Sequence, residues 1–200
     1  LNTNVHFMLH NNWGINAGVT DGQLGSTYCD QCARGGPAVR QSSYLSPWLS
    51  IQGDDRPRIS PSLSVNAMRT DAGFSHMVSV DPSVAVRASS QLLFTLDVTG
   101  TQNINDTQWI GNFQDGSANT THYTFAHLDQ TTISTTVRAT YIFTPALSLQ
   151  LYAQPFVSNG TYTNPRELSA NPRADDYADR YQRYAPPTSA LSGFSDREFN

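Results

Sequence analysis

The stretch that decides the fold is residues 131–156, which have the sequence TTISTTVRATYIFTPALSLQLYAQPF. Both halves alternate between apolar and polar side chains. The apolar positions are Ile133, Val137, Ala139, Tyr141, Phe143, Leu147, Leu149, Leu151 and Ala153. Because side chains on a strand point to opposite faces with a period of two, each half is predicted to be a two-faced strand. Pro145 predicts a turn between them, since proline cannot donate to a strand ladder.

This hairpin fits two architectures. Each half is about as long as the ~9–11 residues that a tilted strand needs to cross a bilayer. One aliphatic and aromatic face opposite a small, polar face is typical of a membrane barrel strand. A strand of a soluble β-sandwich has the same local pattern. The two differ in where the apolar stripes lie: outside a single sheet in a barrel, or between two packed sheets in a sandwich.

The same alternation recurs along the chain and predicts an antiparallel meander over residues 4–162. The runs occupy residues 4–10, 12–20, 37–52, 59–68, 78–88, 92–99 and 123–128. Residues 21–36 are predicted to be a loop, and residues 100–119 a longer loop or a frayed strand extension. Short turns are expected at residues 89–90 and 144–146. Short connections that alternate with long ones are typical of outer-membrane barrels.

The C-terminal part has a different character. Residues 166–184 are dense in charge and tyrosine and predict a short helical or irregular segment. They lie in a charged, tyrosine-rich loop predicted at residues 163–190, and residues 191–200 are predicted to start a further strand. We therefore expect residues 1–200 to form a single β-barrel domain, as a fragment of a longer barrel.

The amino-acid composition excludes a membrane-spanning helix and argues against nucleic-acid binding. The formal net charge is −4, all twelve basic residues are arginines, and only 14% of residues are charged. Soluble domains average ~25% charged residues, so the low value suits a wet lumen or an extracellular surface. No run of ~18 apolar residues occurs, which excludes a membrane-spanning helix. No basic cluster is interleaved with aromatic residues, so nucleic acid is not an expected partner.

The two cysteines, Cys29 and Cys32, form a C-x-x-C motif. This motif can be a redox pair, half of a zinc site or a small disulfide loop. No second half-site follows and no thioredoxin-like βαβ pattern surrounds it. A local disulfide in an oxidising compartment is the favoured interpretation, and two free thiols are the alternative.

No catalytic, cofactor-binding or metal-binding residue is predicted. The sequence contains no G-x-S-x-G elbow, H-E-x-x-H motif, P-loop or dinucleotide fingerprint. His6 and His10 are too far apart along one strand to share a metal ion easily, and His122 and His127 fall on opposite faces. The adjacent aspartate pairs, Asp54-Asp55 and Asp175-Asp176, lie in turns or loops. None of these residues predicts a metal or acid–base site.

Three charged residues fall on the faces opposite the apolar stripes: Arg87, Asp97 and Arg138. In a barrel they point inward, where an ion-pair network would line or block the lumen. The inward placement is favoured because an arginine facing lipid at mid-depth costs ~2–4 kcal/mol. Ordinary solvent-facing charge on a soluble sheet is the alternative.

Four segments carry a family resemblance: RGGPAVR at 34–40, LDQTTI at 128–133, YIFTPALSLQLYAQPF at 141–156 and DREFN at 196–200. They resemble the C-terminal domain of a bacterial family of unknown function. In that family this domain follows a family-nine carbohydrate-binding-like domain, and members are often described as membrane-associated hydrolases. The resemblance covers most of residues 13–200, and Cys29 and Cys32 are not part of its pattern.

The resemblance implies an outer-membrane barrel that anchors, or serves as a conduit for, a carbohydrate-related module. Expected partners are outer-membrane lipid and, through a domain outside this chain, carbohydrate; no cofactor is implied. Any hydrolase activity would reside in another domain. The alternative function is a soluble, secreted β-sandwich that binds carbohydrate or forms part of a glycoside hydrolase.

Overall fold

The structure, a computed structural model, describes residues 1–22, 27–114 and 120–184. Its strands in chain order are β1 (Asn2–Met8), β2 (Gly14–Gly22), β3 (Tyr28–Cys29), β4 (Val39–Arg40), β5 (Tyr44–Gln52), β6 (Ile59–Thr70), β7 (Ser75–Arg87), β8 (Leu92–Gln114), β9 (Thr121–Thr144), β10 (Leu147–Ala153), β11 (Phe156–Leu168) and β12 (Tyr181–Arg183). Ten of them form one antiparallel sheet, and β3 pairs only with β4. The predicted all-β antiparallel meander is confirmed.

The hairpin predicted from residues 131–156 is present with its arms in register. Leu149 pairs with Tyr141, and Leu151 pairs with Ala139, so the apolar face of one arm continues onto the other. β10 and β11 both pair with β9 and together act as one long strand. The interruption between them includes Pro155, which lacks an N–H but accepts a hydrogen bond from the Thr135 amide at 3.0 Å.

The two faces of the sheet differ in polarity, as two neighbouring rows of residues that each cross eight strands show. One row of paired residues runs along the first face: Val5, Ala17, Leu49, Val65, Val80, Gly100, Ile133 and Val157. The adjacent row lies on the second face: Asn4, Gly18, Trp48, Asn66, Ser79, Thr101, Thr132 and Ser158. We call these the apolar face and the polar face.

The apolar face is exposed. Val78 and Val80 in the middle of the sheet are about two-fifths exposed, and Ile133 is 57% exposed. The serines that alternate with these valines on β7 are half-buried on the polar face. Within the described residues, the second sheet consists of β3 and β4 alone, which are two residues each. The apolar stripes are therefore not packed between two large sheets.

The two ends of the sheet are built differently. At one end, the turn end, strands are joined by residues 9–13, 53–58, 88–91 and 145–146. The opposite end, the core end, carries the long connection between β2 and β5 and the segment after β11. The buried apolar cluster also lies at the core end and contains Ala33, Val39, Phe125 and Leu168. Cys29 and Cys32 are joined by a disulfide in the same long connection.

A buried arginine joins these core-end segments. Arg180 is only 4% exposed. Its guanidinium donates to the carbonyl oxygens of Ala174, Asp175 and Arg40 at 2.9–3.0 Å and to the Ser42 hydroxyl at 2.9 Å. No carboxylate is among these four acceptors. Arg180 therefore holds the loop before β5 against the segment before β12 through oxygen atoms of neutral groups.

Several predicted boundaries were wrong. Of the two alternatives predicted for residues 100–119, a longer loop is wrong and a strand extension is right as far as Gln114, because the β8–β9 backbone ladder continues where the apolar pattern ends. Residues 166–168, predicted as part of a helical or irregular segment, belong to β11. The remainder of that segment contains one short 3-10 helix, Ala178–Arg180, and β12. The predicted strand start at 191–200 lies outside the described residues, as do residues 115–119 and 185–190.

The sheet has two open edges in the described part of the chain. β1 is bonded only to β2, while β10 and much of β11 are bonded only to β9. No pairing joins β1 to β10, β11 or β12 among these residues, so a closed barrel is not observed there. No helix in the described residues has the length and apolar composition needed to span a bilayer.

Replacing Arg180 should loosen the core end. Arg180→Met leaves several buried acceptors unpaired, and each costs about 1–3 kcal/mol. We expect amide hydrogen exchange in residues 38–42 to accelerate at least about tenfold, since 1.4 kcal/mol corresponds to a factor of ten. Arg173→Met is the matched control, because Arg173 lies in the same segment and is exposed. Equal exchange rates in the two variants would contradict the proposed role.

Candidate functional site

The three charged residues predicted to line a lumen all lie on the polar face. Asp97 pairs with Thr136 and Arg138 pairs with Thr95, which places their side chains diagonally across β8 and β9. The Arg138 guanidinium is 3.6 Å from the Asp97 carboxylate. The Arg87 guanidinium instead donates to the backbone carbonyl of Asp55. The structure thus brings two of the three residues together and separates the third.

The Asp97–Arg138 pair is too exposed to form a strong site. The Arg138 side chain is 58% exposed and that of Asp97 is 35% exposed. Exposed pairs of this kind contribute only about 0–1 kcal/mol. They carry charge on the polar face but do not create a pocket by themselves.

A denser group of polar residues lies where the ladders on both sides of β9 slip. On β8 the register shifts between Asn105 and Gln108, and on β11 it shifts between Thr163 and Arg166. Both β-bulges face the same part of β9, between Phe125 and Leu128. Bulges bend a strand and re-aim side chains, and they are enriched beside active sites.

The bulges converge on Asp106, whose carboxylate is almost fully buried. It accepts hydrogen bonds from the Tyr177 hydroxyl at 2.7 Å and from His127 Nδ1 at 2.8 Å. Arg166 forms an ion pair with the same carboxylate and also donates to the Asp106 carbonyl. We call Asp106, His127, Arg166 and Tyr177 the bulge cluster.

A strained turn supports this cluster from the β6–β7 connection. Asp71 and Ala72 have φ values of 53° and 55°, in the left-handed region that is costly for residues other than glycine. The Ser75 hydroxyl donates to the Asp71 carboxylate at 2.5 Å and accepts from the Asp106 amide at 2.9 Å. Ser75 therefore links the strained turn directly to the β8 bulge.

The electrostatics of the bulge cluster favour a fixed negative charge on Asp106. Burial by itself raises the pKa of the Asp106 carboxyl, but the hydrogen bonds that it accepts outweigh burial and hold that pKa below its ordinary value. Burial, followed by the bond to Asp106, raises the pKa of the Tyr177 hydroxyl well above its ordinary value. Tyr177 therefore stays a neutral donor and Asp106 an ionised acceptor.

These protonation states suit binding and positioning better than proton transfer. A general base works best when its pKa lies near the operating pH, whereas the pKa of Asp106 is displaced away from neutrality. Its two carboxylate oxygens are already engaged by three side chains. Among the described residues, no group of three His, Cys, Asp or Glu side chains could hold a metal ion.

The alternation of apolar and polar residues on β8 gives no clear signal for the bulge cluster. From Leu92 to Ile104 most apolar side chains on β8 are even-numbered, but Leu93 is not, and beyond the bulge Trp109 is odd-numbered while Ile110 is even-numbered. An inserted residue shifts the parity of a strand, but mixed parity of this kind does not locate the insertion. The position of His127 in the sequence predicts no metal or acid–base role, and neither Asp106 nor Tyr177 is among the predicted site residues.

The pH dependence of stability should reveal the Asp106 charge. Its pKa lies below the ~3.9 of an unfolded aspartate, so the stability that it contributes is fully present above about pH 4. That contribution is lost as the pH falls through the folded pKa. Asp106→Asn leaves Arg166 without its counterion, and we expect a loss of about 3–5 kcal/mol at pH 7.

The measurement is the melting temperature between pH 5 and pH 2, and the Asp106→Asn variant should show a flatter acid limb than the unmodified protein. Asp97→Asn is the control, since its partly exposed ion pair predicts a change below about 1 kcal/mol. If Asp106→Asn keeps the full acid slope, the Asp106 carboxylate does not carry this charge linkage.

Comparison with known proteins gives one match. A family model described as a domain of unknown function (DUF5916) matches residues 1–188. No curated protein and no solved structure matches the chain. Since the matched region covers nearly all of the 200 residues, the chain belongs to the DUF5916 family.

Proposed function

We propose that this chain is part of an outer-membrane β-barrel that anchors, or serves as a conduit for, a carbohydrate-related module. The observation that carries the proposal is the exposed apolar face of a single large sheet. Burial of an exposed aliphatic side chain is worth about 1.5–3 kcal/mol. Many such residues in adjacent rows need an apolar environment, and the lipid bilayer supplies one without a second protein layer.

The length of the apolar face along the strands supports a location in a lipid bilayer. On β7 the apolar positions run from Val78 to Val86, which is nine residues, and a tilted membrane strand needs ~9–11. On β8 and β9, the paired positions after Gly100 and Ile133 toward the core end are Gln102 and Thr131. The polar parts of these long strands would extend the sheet out of the bilayer.

The polar face supports the conduit part of the proposal. Its rows are rich in serine, threonine and asparagine, although Trp48 also belongs to them, and Asp97 and Arg138 lie on this face. Alternation of lipid-facing apolar residues and lumen-facing polar residues is the organisation of a water-filled barrel. The short connections at the turn end fit the periplasmic side of such a barrel, and the long connection between β2 and β5 at the core end fits the outer side.

Membrane placement sets a condition on the open edges. Unpaired backbone N–H and C=O groups are not tolerated in hydrocarbon, so β1 and β10 must find pairing partners within the bilayer. Strands of the same protein outside the described residues, or direct antiparallel pairing of the two edges, would satisfy them. The carbohydrate-related module is proposed on the family resemblance of residues 128–156 and would lie in another domain.

A pair of neighbouring substitutions tests which face contacts lipid. Ile133→Arg places a charge on the apolar face and should lower folding into phospholipid bilayers by ~2–4 kcal/mol. Thr132→Arg places the same charge on the polar face of the same strand and should fold nearly as well as the unmodified protein. The folded fraction is measured by protease protection and by heat-modifiable gel migration.

Two outcomes would contradict the proposed contact between the apolar face and lipid. If Ile133→Arg and Thr132→Arg fold equally well, the apolar face does not contact lipid. If the unmodified protein is a stable monomer in buffer without detergent, the soluble β-sandwich becomes the better hypothesis. That architecture would require a further layer over the apolar face.

A further inference from the structure

We propose that the pocket beside the bulge cluster binds an acidic sugar, meaning a ring with several hydroxyl groups and one carboxylate. The pocket has a volume of about 320 Å³, at the lower end of the ~300–1,000 Å³ typical of ligand sites. It lies at the core end, beyond the apolar rows. Its walls include Phe74, Asn164, Tyr177, Tyr181, Gln182 and Arg183.

The charge in the pocket calls for an anion. Arg166 and Arg183 are directly opposite each other in the β11–β12 pair, and like charges in that position destabilise a sheet. The charge of Arg166 is matched by Asp106. Arg183 is exposed, and its guanidinium has no hydrogen bond or ion pair within the described part of the chain.

Guanidinium geometry favours an anion that accepts two parallel hydrogen bonds, and a carboxylate is one such anion. The planar guanidinium presents paired N–H donors that match a carboxylate. Arg166 also has an unused donor, because its Nε is buried without a hydrogen-bond partner among the described residues. This Nε is not exposed to the pocket, so Arg183 supplies the accessible donors, while one carboxylate in the wall, that of Asp106, is already neutralised.

The rest of the wall fits a sugar ring rather than a bare carboxylate. Phe74 is 58% exposed, although its ring is stacked on Tyr177 at a centroid distance of 5.6 Å. This pair offers an apolar surface for the C–H face of a sugar ring. Asn164 carries an amide group that both donates and accepts, which matches hydroxyl groups at the ring edge.

The backbone around the pocket is held in a costly conformation. Asn164 has φ of 50° within the β11 bulge, and Asp71 and Ala72 are left-handed in the adjoining turn. Residues in such conformations cluster at ligand sites, because the surrounding structure must compensate for the strain. The binding proposal stands on this geometry and does not depend on membrane placement.

The test uses the folded protein in detergent micelles and three probes: D-glucuronate, D-glucose and acetate. Isothermal titration calorimetry measures the dissociation constant of each. Glucuronate should bind at least about tenfold more tightly than either glucose, which lacks the charge, or acetate, which lacks the ring. Arg183→Gln should weaken glucuronate binding by about tenfold or more, as expected for loss of a charged hydrogen bond.

Two further variants make the result specific. Arg58→Gln is the matched control, since it removes the same charge from an exposed position at the turn end and should leave affinity unchanged. Phe74→Ala should weaken glucuronate binding and leave acetate unaffected. Equal binding of glucuronate and glucose, absence of saturable glucuronate binding, or equal effects of Arg183→Gln and Arg58→Gln would each overturn the proposal.

Discussion

Strand β9 is hydrogen-bonded on both sides along most of its 24 residues, and the register of these two ladders determines what the rest of the sheet presents. A shift of one residue exchanges the two faces of a strand. Where both ladders are regular, Ile133 aligns with Gly100 and Val157, and the apolar face is continuous. Where both slip, between Phe125 and Leu128, polar side chains are directed to one place instead.

The bulges and the bulge cluster depend on each other. Each bulge leaves backbone groups outside the regular ladder, and buried groups of this kind need other partners. The Asp106 amide donates a hydrogen bond to the Ser75 hydroxyl, and the Asp106 carbonyl accepts one from Arg166. The same arginine also neutralises the carboxylate that the bulge has buried. Removal of the Arg166 charge would therefore leave both a buried carboxylate and a carbonyl of the bulge without a partner.

Sequence periodicity was sufficient for the regular part of the fold and insufficient for the rest. Alternation at residues 131–156 predicted the hairpin and its faces, because side chains on a ladder have a fixed period of two. It failed at residues 100–114, where both faces of β8 are largely polar although the backbone remains paired. The partners of Asp106 come from three separated strands and a loop, so their meeting depends on bulges and long-range register. Of the predicted charge network, local parity placed Arg87, Asp97 and Arg138 on one face but could not give their contacts.

The buried charges lie where the strand ladders are irregular, and not where the ladders are regular and the rows are apolar. An ion pair such as Arg166–Asp106 is stabilised only when hydrogen bonds replace the water that both groups lose. Rows of aliphatic side chains cannot supply those bonds, whereas the core end provides hydroxyl, imidazole and backbone groups. Arg180 is buried in the same way, because four oxygen acceptors replace the water that its guanidinium loses. Charge burial is thus concentrated beyond Gly100, where polar side chains replace the apolar rows, and this same polar end can hold a charged ligand that the apolar face could not.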